Sequence, residues 1–495
     1  MRGRQGLSKS RFQSGLQCPK TLWLAVHQPD LADPVSESLQ GRFDEGQRVG
    51  AVAREYFPGG VLVEEDHTQT AAAIERTQSL IEQGAFVIYE AAFAFDDVLV
   101  RADVMKRDGA AWDLVEVKSS TQCKPEHVTD AAVQTYVVEG AGLSVRGVHI
   151  MHLDRTYIYD GGAYDLAGLF ALVDVTDQAR AYLPQVAASV AEMKAMLAGD
   201  CPEARIGKQC SKPHDCAFHG SCHEFLPERP VTEIPRISEK GLNALLDDGI
   251  HCILDVPLDH RALTATQRQA CQVVQAGELQ LLGDLAGTLG QLTYPVHCLD
   301  FETFKPALPL YQGTRPHQQL PFQWSDHVLS ADGDLEHRDF LFDGDGDPRP
   351  HFLESLLAAV DGEGSVVVYS HFENTMLNAV AADYPEHSGR IVALQERLFD
   401  LEKEVVKQHV RHPSFHGRSS IKYVLPALVA DLSYDDLAIQ NGDTAMLRYA
   451  DVAEGRLSDA ECQCLFKDLR EYCGTDTLGM IRLLQRFSSM AAGRH

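Results

Sequence analysis

Four cysteines constrain this chain more than any other feature. Cys18 stands alone near the start, and Cys210, Cys216 and Cys222 follow as a C-x5-C-x5-C run. Four thiolates can hold one metal centre, and doing so would bring the two ends of the intervening chain together. A set of four cysteines suits an iron–sulfur cluster or zinc. The tight C-x2-C knuckles usual for zinc are missing, which favours the cluster and leaves zinc as the rival. Cys123, Cys201, Cys252, Cys271, Cys298, Cys462, Cys464 and Cys473 share no such framework, and most of them read as core thiols.

At 495 residues the chain is too long for a single core, so two or three domains are expected. No apolar run reaches membrane-spanning length. The basic start (Arg2, Arg4, Lys9, Arg11) lacks the apolar stretch of a secretion signal. The expectation is a cytoplasmic protein without membrane contact, its thiols free or metal-bound. A net charge of −27 argues against nonspecific coating of nucleic acid. It leaves room for a local basic groove beside metal-binding acids.

Residues 7–55 read as helical, with starts at Ser8 and Asp44. Segments 86–95, 98–105 and 112–117 are rich in Val, Phe and Tyr and read as a three-stranded meander. A helix over 126–139, a strand over 144–154 and a long helix over 175–198 follow. Pro227, Pro230 and Pro235 mark a boundary. Residues 236–290 read as all-helical, and Ile237–Leu242 with Leu245–Ile250 resembles a helix–hairpin–helix unit. A second α/β pattern begins at Tyr294, with strands at 296–302, 321–329, 337–342 and an apolar, central one at 364–369. The expected class is α/β, with domains at 1–226 and 291–495 joined by a helical linker at 227–290.

Asp103 and the Glu116-Val117-Lys118 triplet are the first candidate site. The period of two in a strand puts Glu116 and Lys118 on one face. Two carboxylates on neighbouring strands offer oxygen ligands for Mg2+ or Mn2+, and Lys118 can orient a water. Arg101-Ala102-Asp103, Glu116-Val117-Lys118 and Gln134-Thr135-Tyr136 resemble the RecB-like PD-(D/E)XK nucleases with an iron–sulfur cluster, a group that includes CRISPR-associated and AddB-type exonucleases. The resemblance covers residues 7–226. It implies a restriction-endonuclease-like core, metal on Asp103 and Glu116, catalytic roles for Lys118 and Gln134, and a 4Fe–4S cluster on Cys18, Cys210, Cys216 and Cys222. It also points to Glu45 as an acid on an early helix. The tyrosine expected four residues after Gln134 is Val138 here.

The second candidate site is Asp300-Phe301-Glu302, Glu373 after the apolar strand, and Tyr472 with Asp476. A Y-x3-D pair on a helix shares one face. Four acids can converge on two metals, the arrangement for in-line phosphoryl hydrolysis. This ordered set resembles the RNase H-like DEDD-type 3′–5′ exonucleases. The resemblance implies metal on Asp300, Glu302, Glu373 and Asp476, with Tyr472 orienting the attacking water. Glu373 stands where that family has Asp, and Asp400 is a further acid. Ser420-Ile421-Lys422 reads first as a helix start and second as a phosphate contact. His371, His412 and His416 are assigned no ligand role.

The combined expectation is a metal-dependent nuclease acting on DNA, exonucleolytic, in repair, recombination or defence. With no P-loop in the chain, unwinding would fall to a helicase partner. The alternative is a nucleic-acid-binding scaffold with one or both sites inactive.

Overall fold

A computed structural model describes residues 6–493 of the chain. Arg2 and Arg4 of the basic start lie outside the described residues. The protein is mixed α/β and divides into two compact units. One comprises Met1–Phe225 with Pro306–Gln318, the other Leu226–Lys305 with Gln319–His495. The first break falls within a residue of the prolines' boundary. The stretch expected as a separate linker clusters with the second unit, and Pro306–Gln318 clusters with the first. The reason for the latter is apolar: Ala307 is buried among Val104, Val115 and Met151 of the first unit.

In the first unit seven strands form one sheet: β1 (Leu7–Ser8), β2 (Val61–Leu62), β3 (Val87–Phe95), β4 (Val98–Asp108), β5 (Ala111–Lys118), β6 (Val145–Leu153) and β7 (Phe170–Asp174). The order is β2-β3-β4-β5-β6-β7, with β1 parallel to β4. β3, β4 and β5 form the antiparallel meander. β5 and β6 run parallel, so a crossover is required, and the helix Pro125–Gly140 supplies it. Val133, Val137, Val186 and Val190 of the helices Pro125–Gly140 and Thr176–Leu197 cover one face. Val49 and Ala53 of the helix Glu37–Glu55 cover part of the other.

Ser8 caps the helix Lys9–Gln17, its hydroxyl accepting from the Arg11 amide at 3.2 Å. The expected start at Asp44 is corrected. Asp44 lies inside Glu37–Glu55, and Ser36 is the cap, accepting from the Leu39 amide at 3.2 Å. The serine wins because a cap needs a short acceptor just before the apolar stripe.

The second unit opens with the helices Glu239–Asp247 and Ala265–Ala276, which pack Leu242, Leu245, Val256 and Cys271 into a small cluster. Gly241 sits inside the first helix and not in a turn, and a 3-10 turn at Ile253–Asp255 lies between the two helices. The all-helical reading of 236–290 is also corrected by β8 (Gln280–Leu281). A five-stranded sheet follows, built from β9 (Val296–Phe304), β10 (Leu320–Leu329), β11 (Leu335–Leu341), β12 (Val366–Val368) and β13 (Leu398–Asp400), in the order β11-β10-β9-β12-β13. β12 is parallel to β9 and to β13, and β10 and β11 are antiparallel neighbours. β14 (Val410–Arg411) pairs antiparallel with β8, which ties the helical opening into this unit. All three residues of β12 are buried, as an interior strand requires. A 33-residue helix, Asp459–Ala491, closes the chain with Leu469, Tyr472, Cys473 and Asp476 on its buried face.

Candidate functional site

The first unit gathers its acids where β4 and β5 run side by side. Asp103 follows the Ala102 position of β4, and its Oδ2 accepts the Val117 amide of β5 at 2.7 Å. Glu116 is 2% exposed, and three side chains converge on it. Lys9 donates to its Oε1 at 2.5 Å and Lys118 to the same oxygen at 2.7 Å. Gln134 donates to Oε2 and to the Arg101 carbonyl. Lys118 also meets Asp130 at 2.6 Å, and Gln13 donates to Asp130 at 2.7 Å.

Electrostatics separate the two acids. Burial pushes Glu116 up, but Lys9 and Lys118 outweigh it and hold the carboxyl well below its usual range. Burial and the Glu116 charge push Asp103 up to about 8. Lys118 loses charge stability to burial, and Glu116 and Asp130 more than restore it. A cavity of about 870 Å3 opens onto Asp103 and Glu116, with Arg42, Arg54, Arg101 and Glu90 on its walls.

Glu90 was not legible as a site residue. The β3–β4 register runs through it unchanged, with Tyr89 paired to Val104 and Ala91 to Ala102, which sets Glu90 opposite Asp103. Its φ of 57° is rare for a side chain of this size and turns it out of the strand's alternation. Burial raises its pKa first, and Arg101 and Lys9 oppose the rise. Glu45 does not line the cavity; Arg42, Gly46 and Gln47 of its helix do. Tyr136 donates to Asp96 at 3.0 Å and stands outside the cavity lining.

The four cysteines meet at the far end of the helix Lys9–Gln17. Cys18 ends that helix, and Gln17 donates to the carbonyls of Gln209 and His214, both at 2.7 Å. The Cys216 amide donates to the Cys210 carbonyl at 3.0 Å, and Thr21 contacts the Cys216 sulfur at 3.1 Å. Burial raises the Cys210 and Cys222 thiols, and each feels the others: Cys216 and Cys18 act on Cys210, and Cys216, Cys210 and Cys18 act on Cys222. Among the described residues no three cysteine sulfurs lie within 4.8 Å of one another. The four thiols are still neighbours in the fold.

The second unit gathers four more acids. Asp300 and Glu302 share one face of β9, opposite Ser325 and Gln323 of β10, while Phe301 between them enters the core. Glu373 stands in the first turn of the helix Phe372–Asp383. It is 2% exposed, and its Oε2 has no hydrogen-bond partner among the described residues. Asp476 comes from the last helix, and its Oδ1 accepts from Tyr434 at 2.5 Å and from Lys422 at 3.5 Å. All four acids line one cavity of about 400 Å3 with Lys422 and Tyr472. Asp300, Glu302 and the Cys473 sulfur offer ligand atoms within 4.8 Å of one another.

Burial and the Asp476 charge raise Asp300 to about 7. Burial and Asp300 push Glu302 and Glu373 well up, and burial also raises Asp476. The Lys422 ammonium is pulled down by burial and supported by Asp476 and Asp300. It lies 3.2 Å from the Tyr434 ring centroid and 4.5 Å from that of Tyr472. Four crowded acids with raised pKa values share one cation, Lys422, and the Glu373 Oε2 lacks a hydrogen-bond partner among the described residues, so a divalent cation would offset the charge of their ionised forms. The donor set, all oxygen with one soft sulfur beside it, suits a hard divalent cation.

Sequence reasoning missed Tyr434 and Cys473 here, and Lys9, Gln13, Glu90 and Asp130 in the first unit. Lys422, read first as part of a helix start, has its ammonium in the cavity. Cys473 is not merely a core thiol, because its sulfur sits 3.5 Å from Asp300 Oδ2; Cys201 and Cys464 are exposed. Asp400 accepts the Lys403 amide at 2.8 Å and does not line the cavity. Neither do His371, His412 and His416.

A family model described as a domain of unknown function (DUF2779) matches residues 297–420. The matched stretch contains Asp300, Glu302 and Glu373 and ends before Tyr472 and Asp476. No curated protein matches the chain. No helix among the described residues is long and apolar enough to cross a membrane.

Proposed function

We propose that this protein is a metal-dependent nuclease that hydrolyses DNA phosphodiester bonds at strand ends, with a RecB-like PD-(D/E)XK site in its first unit and an RNase H-like exonuclease-type site in its second. One observation carries the reading: in each unit, acids from separate elements turn into one cavity with a lysine beside them. In the second unit a buried Glu373 oxygen still lacks a partner among the described residues.

In the first unit Asp103 and Glu116 would hold Mg2+ or Mn2+, which supplies Lewis acidity and a more acidic water. Gln134 fixes the Glu116 carboxylate by holding Oε2. Lys118, pinned between Glu116 and Asp130, presents a fixed cation at the edge of the site. Arg42, Arg54 and Arg101 on the cavity lining are cations that can meet phosphate oxygens, among Glu64, Glu65, Asp66 and Glu90 on the same lining. In the second unit Asp300, Glu302, Glu373 and Asp476 would hold the metal. Lys422 offsets charge on the scissile phosphate, and Tyr472 and Tyr434 orient the attacking water and Asp476. A 4Fe–4S cluster on Cys18, Cys210, Cys216 and Cys222 would serve as a staple, with the lack of C-x2-C knuckles favouring it over zinc. A helicase would supply single strands.

The test is anaerobic purification followed by cleavage of end-labelled single- and double-stranded DNA in Mg2+ or Mn2+. Lys118→Ala and Asp300→Asn should each remove one activity while the fold persists. Full metal-dependent cleavage by an Asp103→Asn/Lys118→Ala/Asp300→Asn variant refutes both assignments. DNA binding without product from the wild type identifies the scaffold alternative, to which the net charge of −27 and Glu373 in place of Asp lend support.

A further inference from the structure

A second cavity in the second unit, of about 530 Å3, belongs to neither acid cluster. Its apolar wall is built from Ile253, Cys271, Val274, Val406, Val410 and Phe415. Its cations are Arg236, Lys407, Arg411 and Arg418, with His412 and His416 beside them. Glu233 is the one acid on the lining, and it is taken by His416 at 2.9 Å. Lys407 is paired outward with Glu402 at 2.8 Å. The three arginines have no carboxylate partner among the described residues. Arg411 gives three N–H bonds to the carbonyls of Val406, Val410 and Lys407, which leaves two of its five donors. Arg418 lies over the Tyr423 ring at 4.7 Å, and Arg236 is exposed at the rim. With Glu233 held by His416, the three arginines leave the lining net positive in a chain of net charge −27, which suits an anion.

The cavity is held open by its backbone. His416 and Gly417 both adopt left-handed φ, 48° and 69°. A Cβ at Gly417 would stand 2.8 Å from the Glu233 carbonyl oxygen and 2.6 Å from Pro235 Cγ. The loop is thus pressed against Glu233 and Pro235 on the opposite wall, and the His416–Glu233 pair ties it there. On the histidine next to it, His412 Nδ1 accepts the Ser414 amide at 3.1 Å, which leaves Nε2 as the donor of the neutral ring.

We infer that this cavity is a binding site for a nucleoside monophosphate. Guanidinium forks match phosphate oxygens, and the lining offers them from two segments, Arg236 beside Pro235 and Arg411 with Arg418. The apolar wall has nothing to offer free phosphate and suits a planar ring. The volume lies in the range of small-molecule sites and holds one nucleotide, not a run of them. The segment that carries His412, Phe415 and Arg418 continues into Ser420 and Lys422, which line the acid cavity. The inference rests on this cavity's own residues and stands whether or not the acids cut DNA.

The experiment is calorimetric titration of the full chain with thymidine 5′-monophosphate in EDTA, with inorganic phosphate as comparator. Saturable binding of one nucleotide per chain is expected, at least tenfold tighter than phosphate. The Arg236→Ala/Arg418→Ala variant, altered only at exposed positions, should weaken it at least tenfold, and Ala270→Trp should fill the cavity and abolish it. Absence of saturation, equal affinity for phosphate, or binding unchanged in the arginine variant overturns the inference. Binding that appears only with Mg2+ places the nucleotide at the acids and overturns it too.

Discussion

Asp300→Asn should stabilise the metal-free protein at pH 8 and lose that advantage at pH 5. In the folded chain Asp300 is raised to about 7 by burial and by Asp476, against an ordinary carboxyl near 3.8. Between those values the native state holds a proton that the unfolded chain has released. Stability therefore falls as pH rises through this window, is fully present below about pH 4, and is lost above pH 7. Three units at about 1.36 kcal/mol each set a ceiling of roughly 4 kcal/mol for this one group. For a domain of this size each kcal/mol moves the melting temperature by about 2–4 °C. Asparagine keeps the shape and removes the charge. Thermal unfolding in EDTA should then show the variant melting higher by several degrees at pH 8, with the gap closing at pH 5. Mg2+ should stabilise the wild type at pH 8 and the variant much less, because metal binding replaces the lost protons. A variant less stable at pH 8, or a gap that does not change with pH, refutes the reasoning.

Cys216→Ser should abolish the visible absorption of anaerobically purified protein and lower its melting temperature, while Cys464→Ser, at an exposed thiol, changes neither. Gly417→Ala should destabilise the second unit by about 2–4 kcal/mol in denaturant unfolding, since it adds a left-handed β-carbon and a clash with Glu233 and Pro235. Tyr434→Phe removes the 2.5 Å donor to Asp476 and should cost about 2 kcal/mol in the same assay at neutral pH.

The sheet of the first unit was legible because its strands carry their own signals. β3, β4 and β5 are rich in Val and aromatic residues, and Asp-Gly and Asp-Asp pairs mark the turns. β12 was legible as an interior strand from its unbroken run of valines. β8 and β14 were not, because two-residue strands carry no periodicity and exist only through each other. The helix start at Asp44 failed because a mid-helix acid looks like a cap until the earlier Ser36 is given weight.

The site residues divide along the same physical line. Asp103, Glu116, Lys118, Asp300 and Glu302 sit on strands whose period of two forces them to one face, so spacing alone brings each set together. Lys9 reaches Glu116 across 107 positions, and Tyr434 reaches Asp476 across 42. No local period encodes such contacts; they come from how helices cross the sheet. One of them had a trace in the sequence. Lys9 follows the Ser8 cap and begins a helix that ends at Cys18, so the position of Cys18 and the direction of Lys9 are linked through one helix. That one helix carries Lys9 on Glu116, Gln13 on Asp130 and Gln17 on the backbone around Cys210. The cysteine quartet and the first acid site are thus two ends of a single nine-residue helix. A centre bound at the quartet, as proposed, would order the charges around Glu116 through this helix.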